Sequence, residues 1–331
     1  MEVRVEAVTL RLGEPLRTAY GDVRDRELLV LSLTGADGIT GRGEAAPLEA
    51  YDGVALQDVR AALERYARVL RDGDGATGAE LLDACRAEAD LPQALAAVDL
   101  ALWDRAGRRE GKPVCALLAE RPLPAVRVNA TIGALDRAGA ASAAAHAAQT
   151  GFSCVKLKVG SGDDAGRVAA VRAACGPEVE LRLDANGAWG IEEAVRTIEA
   201  LAPAGLELVE EPVHGVQAMR AVRERVAVRV SMDETAAEPG ALTAAVADAA
   251  CLKISRCGGI SALLAQAALV RASGAEVYLA STLDGPLGIA AALHCAAALA
   301  PGPACGLATL PERFPAVDGA ITVPSGPGLG V

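Results

Sequence analysis

With 331 residues, of which 52% are hydrophobic, the chain is long enough for two packed domains, but an aromatic content of only 2% leaves alanine, leucine and valine to fill the core. The net charge of −11 argues against nucleic acid or an anionic membrane as a partner, whereas an anionic small molecule could still bind through a divalent cation. The most apolar tract, residues 289–301, contains His294 and is shorter than the ~20 residues of a membrane-spanning helix.

The cysteines and the N-terminus point to the same compartment. The eight cysteines lack Cys-x-x-Cys spacing and most stand in apolar runs, which is typical of buried free thiols in a reducing environment. Residues 1–8 alternate charged and apolar side chains, unlike a secretory signal peptide. We therefore expect a soluble, cytoplasmic protein.

The first third of the chain reads as a small α+β unit. Three strands are predicted first, at residues 2–12, 27–34 and 39–44. A polar loop at 17–22 separates the first two. Three helical patterns follow: 56–70, 79–89 and 91–108. Strands first and helices afterwards are typical of a separate α+β domain.

From about residue 126 the pattern changes to alternating strand-like and helix-like segments. The strand-like segments, of which the last is the weakest, are 126–132, 154–159, 180–185, 206–211, 228–233, 250–255, 276–282 and 305–309. Such alternation predicts parallel βαβ units, and about eight of them close into a barrel whose chemistry lies at the C-terminal strand ends. The Pro/Gly-rich tail, residues 314–331, is expected to return to the N-terminal domain.

Charged side chains stand at the ends of five consecutive predicted strands. Lys158, Asp184, Glu210, Asp233 and Lys253 follow one another at intervals of about 20 to 26 residues, each long enough for a helix and two turns. Because the C-terminal ends of parallel barrel strands meet at one face, we expect the five side chains to surround one site.

The three carboxylates in this series predict a magnesium site. Asp184, Glu210 and Asp233 would repel one another without a cation, and oxygen ligands with no histidine among them favour Mg²⁺ over zinc. Any one of them could instead be a solvated or helix-capping residue. Three in register between two lysines are harder to explain in that way.

The lysines in the series predict proton transfer. Lys158 and Lys253 would face each other across the metal, and Lys156 lies on the same side of its strand as Lys158. Removal of a proton α to a carboxylate gives an enediolate, which a cation and an ammonium group can stabilise. A single strand lysine is ordinarily a surface residue, but two lysines at i and i+2 between apolar residues do not fit that description.

A series of short motifs occurs in order along the chain. They are Gly-Glu-Ala-Ala-Pro at 43–47, Ala-Val-Asp-Leu-Ala-Leu-Trp-Asp at 97–104, Lys-x-Lys at 156–158, Asp-x-Asn-Gly at 184–187, Val-Glu-Glu-Pro at 209–212, Met-Asp-Glu-Thr at 232–235, Leu-Lys-x-x-x-x-Gly-Gly at 252–259 and Pro-Ser-Gly-Pro-Gly-Leu-Gly at 324–330. Over essentially the whole chain this set resembles the enolase superfamily, muconate lactonizing enzyme subgroup. Glu211 stands where glutamine is common in that subgroup.

The resemblance implies a fold and a set of roles. It implies a (β/α)7β TIM-like barrel, here residues 126–310, and an α+β capping domain, here residues 1–125 completed by 311–331. It implies one Mg²⁺ with the ligands Asp184, Glu210 and Asp233. It also implies Lys158 and Lys253 as the acid/base residues, with Lys156 beside the first.

Three stretches, residues 43–48, 128–131 and 281–284, resemble o-succinylbenzoate synthase within the family. In its syn-dehydration Lys158 would remove the α-proton and then protonate the departing hydroxyl, while Lys253 would stabilise the enediolate. The supporting residues are then predicted to be Lys156, Asn186 and Glu234. The residues predicted to contact a small carboxylate substrate are Asn129, Arg256, Gly258, Gly259, Ser281, Thr282 and Asp284.

Other reactions of the family stay open. Arg256, three residues after the second lysine, resembles the branch that racemises N-succinyl amino acids, although it could equally be a rim residue paired with a carboxylate. Residues 276–282 lack the histidine of mandelate racemase relatives, and residues 306–308 lack the Asp-x-Asp with which dipeptide epimerases hold an ammonium group. Muconate cycloisomerisation and a non-catalytic, metal-dependent scaffold are the remaining alternatives.

Specificity is expected to come from capping-domain loops near 18–24 and 48–53, which read as generic polar turns. Assembly into a homo-oligomer is compatible with the resemblance.

Overall fold

The computed structural model describes residues 1–18, 21–160 and 162–331, and only the backbone of residues 12–18 and 21–23. The α/β class and the barrel with a capping domain are confirmed. The strands are β1 Glu2–Thr18, β2 Gly21–Thr34, β3 Thr40–Ala45, β4 Ala125–Arg127, β5 Ala130–Ile132, β6 Cys154–Lys158, β7 Glu180–Asp184, β8 Leu206–Glu210, β9 Val230–Met232, β10 Ala249–Lys253, β11 Glu276–Ala280, β12 Ala316–Val317 and β13 Ala320–Thr322. The α-helices are α1 Glu49–Asp52, α2 Leu56–Asp72, α3 Gly78–Glu88, α4 Pro92–Glu110, α5 Val114–Leu118, α6 Arg137–Gln149, α7 Asp164–Cys175, α8 Ile191–Leu201, α9 Val216–Arg223, α10 Ile254–Cys257, α11 Ile260–Ala272 and α12 Pro286–Leu299.

The N-terminal strands form an antiparallel sheet in the order β1-β2-β3. Leu29, Leu31 and Leu33 alternate along β2 and are fully buried, because alternate side chains of a strand face the same side. Helices α2, α3 and α4 contribute to the same apolar cluster, with Leu63 and Tyr66 of α2 in its centre. The capping sheet therefore has a core of its own, and the three helices predicted in this region are confirmed.

The first hairpin is longer than its sequence predicts. The pairing of β1 with β2 runs from Glu2 opposite Thr34 to Thr18 opposite Gly21, with an irregularity between Arg11 and Leu16. The prediction of a polar loop over 17–22 is therefore wrong at residues 17, 18, 21 and 22, which belong to the two strands. Positions 19 and 20, and with them part of the expected specificity loop at 18–24, lie outside the described residues.

Strands β5 to β11 form one parallel sheet in which neighbours follow chain order. The predicted first barrel strand, 126–132, is divided into β4 and β5. The predicted eighth strand, 305–309, is reduced to two bridges, from Cys305 to Val128 and from Gly306 to Ala280. These bridges connect the two edges of the curled sheet, so residues 305 and 306 occupy the eighth position of the barrel.

Helices cover the outside of the barrel with one exception. After β9 the chain makes a 3-10 turn, Glu234–Ala237, and reaches β10 without an α-helix. The prediction that every interval holds a helix is wrong here because Glu238 is extended before Pro239, and Gly240 has a φ of +81°. This interval is also the shortest in the series.

Small side chains let the barrel layers pack closely. Helix α12 is buried nearly all round, and Ala290, Ala291 and Ala292 are completely buried. All eight cysteines are free and buried, as predicted. Among the described residues, no helix is both long and apolar enough to cross a membrane.

The C-terminal tail attaches to both parts of the molecule. Strand β13 pairs with β12 and with β4, which directly precedes the first barrel strand β5, and not with the sheet β1–β3. Further on, the amide of Leu329 donates to Asp104 of α4, and Arg42 of β3 donates to the carbonyl of Val331. His294, buried in α12, contacts the same tail through the carbonyl of Leu329, and burial lowers its pKa to about 4. His294 therefore helps to hold the tail against α12.

Candidate active site

Neighbouring strands bring charged side chains to one end of the barrel. In the sheet register Lys158 stands beside Asp184, and Asp184 stands beside Glu210. Asp233 follows β9 directly, and Lys253 is the last residue of β10. Asp184 and Glu210 are 0% exposed and Asp233 is 4% exposed, so these carboxylates depend on protein partners rather than on bulk water.

Two ammonium groups from β6 bind two of the carboxylates. Lys156 Nζ lies 2.9 Å from Asp184 Oδ2 and 2.6 Å from Glu210 Oε1. Lys158 Nζ lies 2.5 Å from Asp184 Oδ2 and 2.7 Å from Asn186 Oδ1. Burial alone would raise the pKa of Asp184, but the two lysines hold it well below its usual value. Asp184 is therefore an anion throughout the neutral range.

Lys253 approaches the carboxylates from the other side of the site. Its Nζ lies 2.5 Å from Asp233 Oδ2 and the same distance from the hydroxyl of Tyr51. Burial alone would lower the pKa of Lys253, but the carboxylate of Asp233 raises it well above the usual value. Lysines thus flank the acidic group from β6 and from β10.

Two of the three carboxylates lie close enough together to bind one divalent cation. Glu210 and Asp233 place carboxylate oxygens within 4.8 Å of each other, and Asp184 shares the ammonium group of Lys156 with Glu210. These are oxygen donors of the kind that Mg²⁺ prefers, and all are buried. A divalent cation among them would offset the remaining negative charge.

Tyr51 is a site residue that the sequence analysis missed. It lies on α1 of the capping domain, and its hydroxyl donates to Asp233 Oδ1 at 3.0 Å. The same hydroxyl accepts from Lys253 and from Arg256 Nη1. Lys253 Nζ also lies 4.3 Å from the centre of the Tyr51 ring, within cation–π distance. The capping domain therefore reaches the predicted acid/base lysine through one phenol.

The short helix α1 is held so that Tyr51 points into the site. Asp52 Oδ2 accepts from the amide of Leu48 and from the side chain of Gln93 on α4. Gly53 then ends the helix at a φ of +71°, a conformation that favours glycine. The segment 48–53 is thus an ordered turn of helix and not a generic polar turn. A tyrosine in a chain with 2% aromatic residues was the signal that could have identified it.

Arg256 lies close to Lys253, because both donate to the hydroxyl of Tyr51. Besides the hydrogen bond to Tyr51, its guanidinium lies 5.1 Å from the centre of the Tyr51 ring.

Gly258 and Gly259 lie where the end of α10 meets α4. Gly258 ends α10 at a φ of +94°, and a Cβ on Gly259 would overlap the carboxylate of Asp99 on α4. Gly259 thus allows the close approach of α4, and substrate contact by either glycine stays a prediction.

Two further acidic residues organise the loops around the ligand set. Asn186 donates to Glu234 Oε1 at 3.0 Å, and burial, followed by the charge of Asp233, raises the pKa of Glu234 to about 7. Glu211 accepts from the amide of Asp233 through Oε2 and from the amide and hydroxyl of Thr235 through Oε1. Glu211 therefore fixes the backbone of the third predicted ligand.

The remaining predicted substrate residues divide into two groups. Asn129 is 2% exposed and donates to Thr131 inside the barrel, while its Oδ1 has no partner among the described residues. Thr282 and Asp284 are buried and hydrogen-bonded to each other, and the amide of Asp284 donates to Ser281. Only Ser281 of this turn is partly exposed. Thr282 and Asp284 stabilise the end of β11, so substrate contact at this turn would fall to Ser281.

A larger cavity, of about 900 Å³, lies in the capping domain and not at the barrel mouth. It is lined by Trp103, Leu81, Leu82 and Leu102, together with the ion pair of Arg105 with Asp37. Its polar groups are already paired, whereas the barrel mouth concentrates lysines and carboxylates. The barrel mouth is therefore the candidate active site.

Comparison with known families covers both parts of the chain. Residues 1–119 match the N-terminal domain of the mandelate racemase / muconate lactonizing enzyme family, and residues 139–331 match the enolase C-terminal domain-like family. The chain belongs to the enolase superfamily, muconate lactonizing enzyme subgroup. The chain is therefore an enzyme of this superfamily, whose members typically bind Mg²⁺.

Named relatives within this subgroup catalyse different reactions. The chain is 31% identical to muconate cycloisomerase 1 of Rhodococcus opacus, with 100% of this chain and 95% of the relative covered. It is 29% identical to a hydrophobic dipeptide epimerase of Enterococcus faecalis, with 90% and 86% covered. It is 40% identical to o-succinylbenzoate synthase of Thermobifida fusca, with 56% and 60% covered. The subgroup to which the chain belongs thus includes enzymes of several reaction types.

Solved structures agree with this assignment. The dipeptide epimerase from Enterococcus faecalis, complexed with Mg and the dipeptide L-Leu-L-Tyr, superposes with a TM-score of 0.88 and 27% identity. The match covers 99% of this chain and 98% of the epimerase. The architecture of the subgroup thus extends over the whole chain.

Replacing Asp184 by asparagine is expected to weaken Mg²⁺ binding by at least about 100-fold, because it removes a buried negative charge from the proposed ligand set. Isothermal titration of the metal-free protein with Mg²⁺ measures the change. Asp83→Asn, at an exposed ion pair on α3, is the matched control and should bind Mg²⁺ as the wild type does. An unchanged titration for Asp184→Asn would remove Asp184 from the ligand set.

Proposed function

We propose that the protein catalyses Mg²⁺-dependent removal of a proton α to a carboxylate, giving an enediolate. The observation that carries this proposal is the placement of Lys158 and Lys253 on opposite sides of buried Asp184, Glu210 and Asp233. A carbon acid bound between the two lysines would have a proton acceptor on one side and a cation on the other.

Asp184, Glu210 and Asp233 are the residues that would hold the metal. Bound there, Mg²⁺ supplies positive charge next to the substrate carboxylate, which makes the α-proton more acidic. The protein contributes the dry surroundings in which that charge acts strongly.

Lys158 is the proposed base. Its side chain is 31% exposed, more than those of Lys156 and Lys253, so it is the lysine most open to a ligand in the mouth. Its contact with Asn186 orients the amine toward the end of β7. Lys156 stays paired with Asp184 and Glu210 and serves as a supporting cation.

For the reaction itself we propose a syn-dehydration of the o-succinylbenzoate synthase type. Lys158 would take the α-proton and return it to the departing hydroxyl, so that water and an aromatic carboxylate leave. Lys253, held by Asp233 and Tyr51, would remain a cation next to the ring that becomes aromatic. The relative with the highest identity quoted above, the synthase from Thermobifida fusca, supports this choice.

Racemisation of an N-acyl amino acid is the second candidate function. It needs one acid/base group on each face of the α-carbon, and Lys158 and Lys253 meet that requirement. The contact of Arg256 with Tyr51, directly beside Lys253, is the observation that favours it. A dipeptide with a free ammonium group fits less well, because residues 306–308 at the eighth barrel position carry no carboxylate.

Two alternatives have less support. The support for muconate cycloisomerisation is the full-length match to the Rhodococcus opacus enzyme. No feature described at this site favours cycloisomerisation over dehydration. A non-catalytic scaffold would have no use for buried, paired lysines and carboxylates that cost free energy to bury.

A substrate panel tests the proposed reaction. The wild type with Mg²⁺ is given the hydroxycyclohexadiene carboxylate that dehydrates to o-succinylbenzoate, a set of N-succinyl amino acids, and dipeptides with a free N-terminus. We expect dehydration, seen as the ultraviolet absorbance of the aromatic product, with racemisation of N-succinyl amino acids measured by polarimetry as the second activity. Epimerisation of dipeptides without either activity would overturn the proposal.

Replacing Lys253 by arginine is expected to separate dehydration from racemisation. Arginine keeps the positive charge but cannot act as a base near neutral pH, so racemisation should fall by about 10²-fold or more while dehydration falls less. Initial rates of both reactions measure the difference, and Lys112→Arg at an exposed position is the control. Equal losses in both reactions would show that Lys253 has the same role in each.

We further propose that residues 1–125 with 311–331 act as the capping domain and residues 126–310 as the catalytic barrel. The separate core of the sheet β1–β3 and the insertion of Tyr51 support this division. The substrate is a small carboxylate, and the proposed location is the cytoplasm. Any homo-oligomer would be measured by light scattering.

A further inference from the structure

Cys251 lies inside the barrel next to the proposed metal ligands. It precedes Lys253 by two residues on β10, so its side chain faces the same side of the strand. Its Sγ and one carboxylate oxygen each of Glu210 and Asp233 all lie within 4.8 Å of one another. Cys251 is 2% exposed, and all three groups are buried.

The Cys251 thiol has no other evident task. In the part of the chain that the structure describes it makes no hydrogen bond, whereas the thiol of Cys154 donates to Glu207. A cavity of about 390 Å³ is lined by Cys251, Asp233 and Lys253. The buried thiol therefore lies close to two carboxylates and borders this cavity.

Two other groups of potential ligands fit a metal less well. Glu207, beside Cys154, is held in a two-point ion pair by Arg182. Glu211, beside His214, already accepts hydrogen bonds from Thr235 and from the imidazole through the same oxygen. The carboxylates beside Cys251 are also paired, Glu210 with Lys156 and Tyr278, and Asp233 with Lys253 and Tyr51. What distinguishes this group is a sulfur that makes no hydrogen bond within the described part of the chain.

We propose that Cys251, with Glu210 and Asp233, forms a second mode of metal binding that takes a thiophilic divalent cation such as Zn²⁺ or Co²⁺ in place of Mg²⁺. This inference rests on the proposed function, because it shares two of the proposed Mg²⁺ ligands. Sulfur is a poor ligand for Mg²⁺ but a good one for zinc-class ions. Binding releases the thiol proton to solvent and leaves the sulfur oxidation state unchanged.

The geometry and the charges are compatible with such an ion. The ligand atoms lie within 4.8 Å of one another, and Zn–S and Zn–O bonds of about 2.3 and 2.1 Å would draw them to within about 3.5 Å around the ion. One thiolate and two carboxylates would face the ion and the ammonium groups of Lys156 and Lys253, so their negative charge is offset. The zinc-class ion would then exclude Mg²⁺ and inhibit the Mg²⁺-dependent reaction.

Cobalt absorption tests the inference directly. Full-length, metal-free protein is titrated with Co²⁺, and we expect a sulfur-to-cobalt charge-transfer band in the near ultraviolet. Cys251→Ser and Cys251→Ala should both lose the band and bind Zn²⁺ at least about 10-fold more weakly by calorimetry. Cys257→Ser, at another buried cysteine outside the group, should keep both properties.

Wild-type results separate this inference from the proposed function. Absence of the band in wild-type protein, or its persistence in both Cys251 variants, would overturn the inference even where Mg²⁺-dependent α-proton exchange is present. A band without α-proton exchange would support the thiolate site and contradict the proposed function. The wild-type measurements need no variant to fold.

Discussion

Turnover by the Lys158→Ala variant is expected to fall by about 10³-fold or more, with folding unchanged. The variant loses the proposed proton acceptor, and acid/base groups typically contribute 10² to 10⁴-fold. The ammonium group also offsets the charge of Asp184, so a smaller part of the loss would come from altered metal binding. Initial rates with the best substrate, at saturating Mg²⁺, measure the effect.

Lys112→Ala is the matched control for this experiment because Lys112 is exposed and lies far from the barrel mouth in the turn between α4 and α5. Circular dichroism checks the fold of both variants. Turnover within a few-fold of wild type in Lys158→Ala would exclude Lys158 as the base.

The Glu44→Gln variant is expected to be more stable than wild type at pH 8 by on the order of several kcal/mol, and nearly equal to it at pH 5. Glu44 of β3 is 3% exposed and inserts at the start of α12, where Oε2 accepts from the amide of Leu287. Its Oε1 has no partner among the described residues. Burial, followed by the charge of Asp284, raises the pKa of Glu44 to about 8. Arg26 is the nearby cation.

The sign of the effect follows from that raised pKa. In the unfolded chain the carboxyl group ionises near its ordinary value of 4.5, whereas in the folded protein it stays protonated up to about 8. Unfolding between these values releases a proton, so the contribution of Glu44 to stability decreases as pH rises through this window. Glutamine keeps the shape and cannot ionise, so it removes the decrease.

Urea unfolding at several values between pH 5 and pH 8 measures this contribution as the difference between variant and wild type. Taking the difference cancels the contributions of titrating groups that do not interact with Glu44. Glu88→Gln, exposed at the end of α3, is the control and should run parallel to wild type. Parallel curves for Glu44→Gln would mean that Glu44 is ionised in the folded protein.

Much of the fold follows from local patterns in the sequence. The helices α2–α4 and the strands β6–β8 have clear periodicity and agree with the structure to within about two residues. The absence of a helix between β9 and β10 could be predicted only from the effect of Pro239 and Gly240 on a short interval. The eighth barrel strand is only two bridged residues, so its strand-like sequence overstated its length.

The barrel part of the site was predictable because strand ends converge by topology. Lys158, Asp184 and Glu210 lie side by side in the register of the parallel sheet, and a fixed period in the sequence indicates this. Tyr51 was not predictable in this way. Its hydroxyl reaches Lys253 from a different domain, about 200 residues away in the chain, and only the packing of α1 on the barrel brings the two together.

Substrate contact by Gly259, Thr282 and Asp284 stays a prediction, because local backbone geometry and hydrogen bonds already account for these residues. Gly259 looked like a donor loop, but the absence of a Cβ there is required by the close approach of Asp99. Thr282 and Asp284 looked like ligand contacts, but they satisfy each other and the end of β11. Hydrogen bonds of this kind are not visible in a sequence.

The most direct test of the account is α-proton exchange in deuterated water, followed by NMR, with wild-type protein, Mg²⁺ and an N-succinyl amino acid. The account predicts that the α-proton signal disappears over time, and that it persists when Mg²⁺ is removed with a chelator. A signal that persists in the presence of Mg²⁺, in a protein that also fails to dehydrate the synthase substrate, would contradict the claim that Lys158 and Lys253 act on a carbon acid held among Asp184, Glu210 and Asp233.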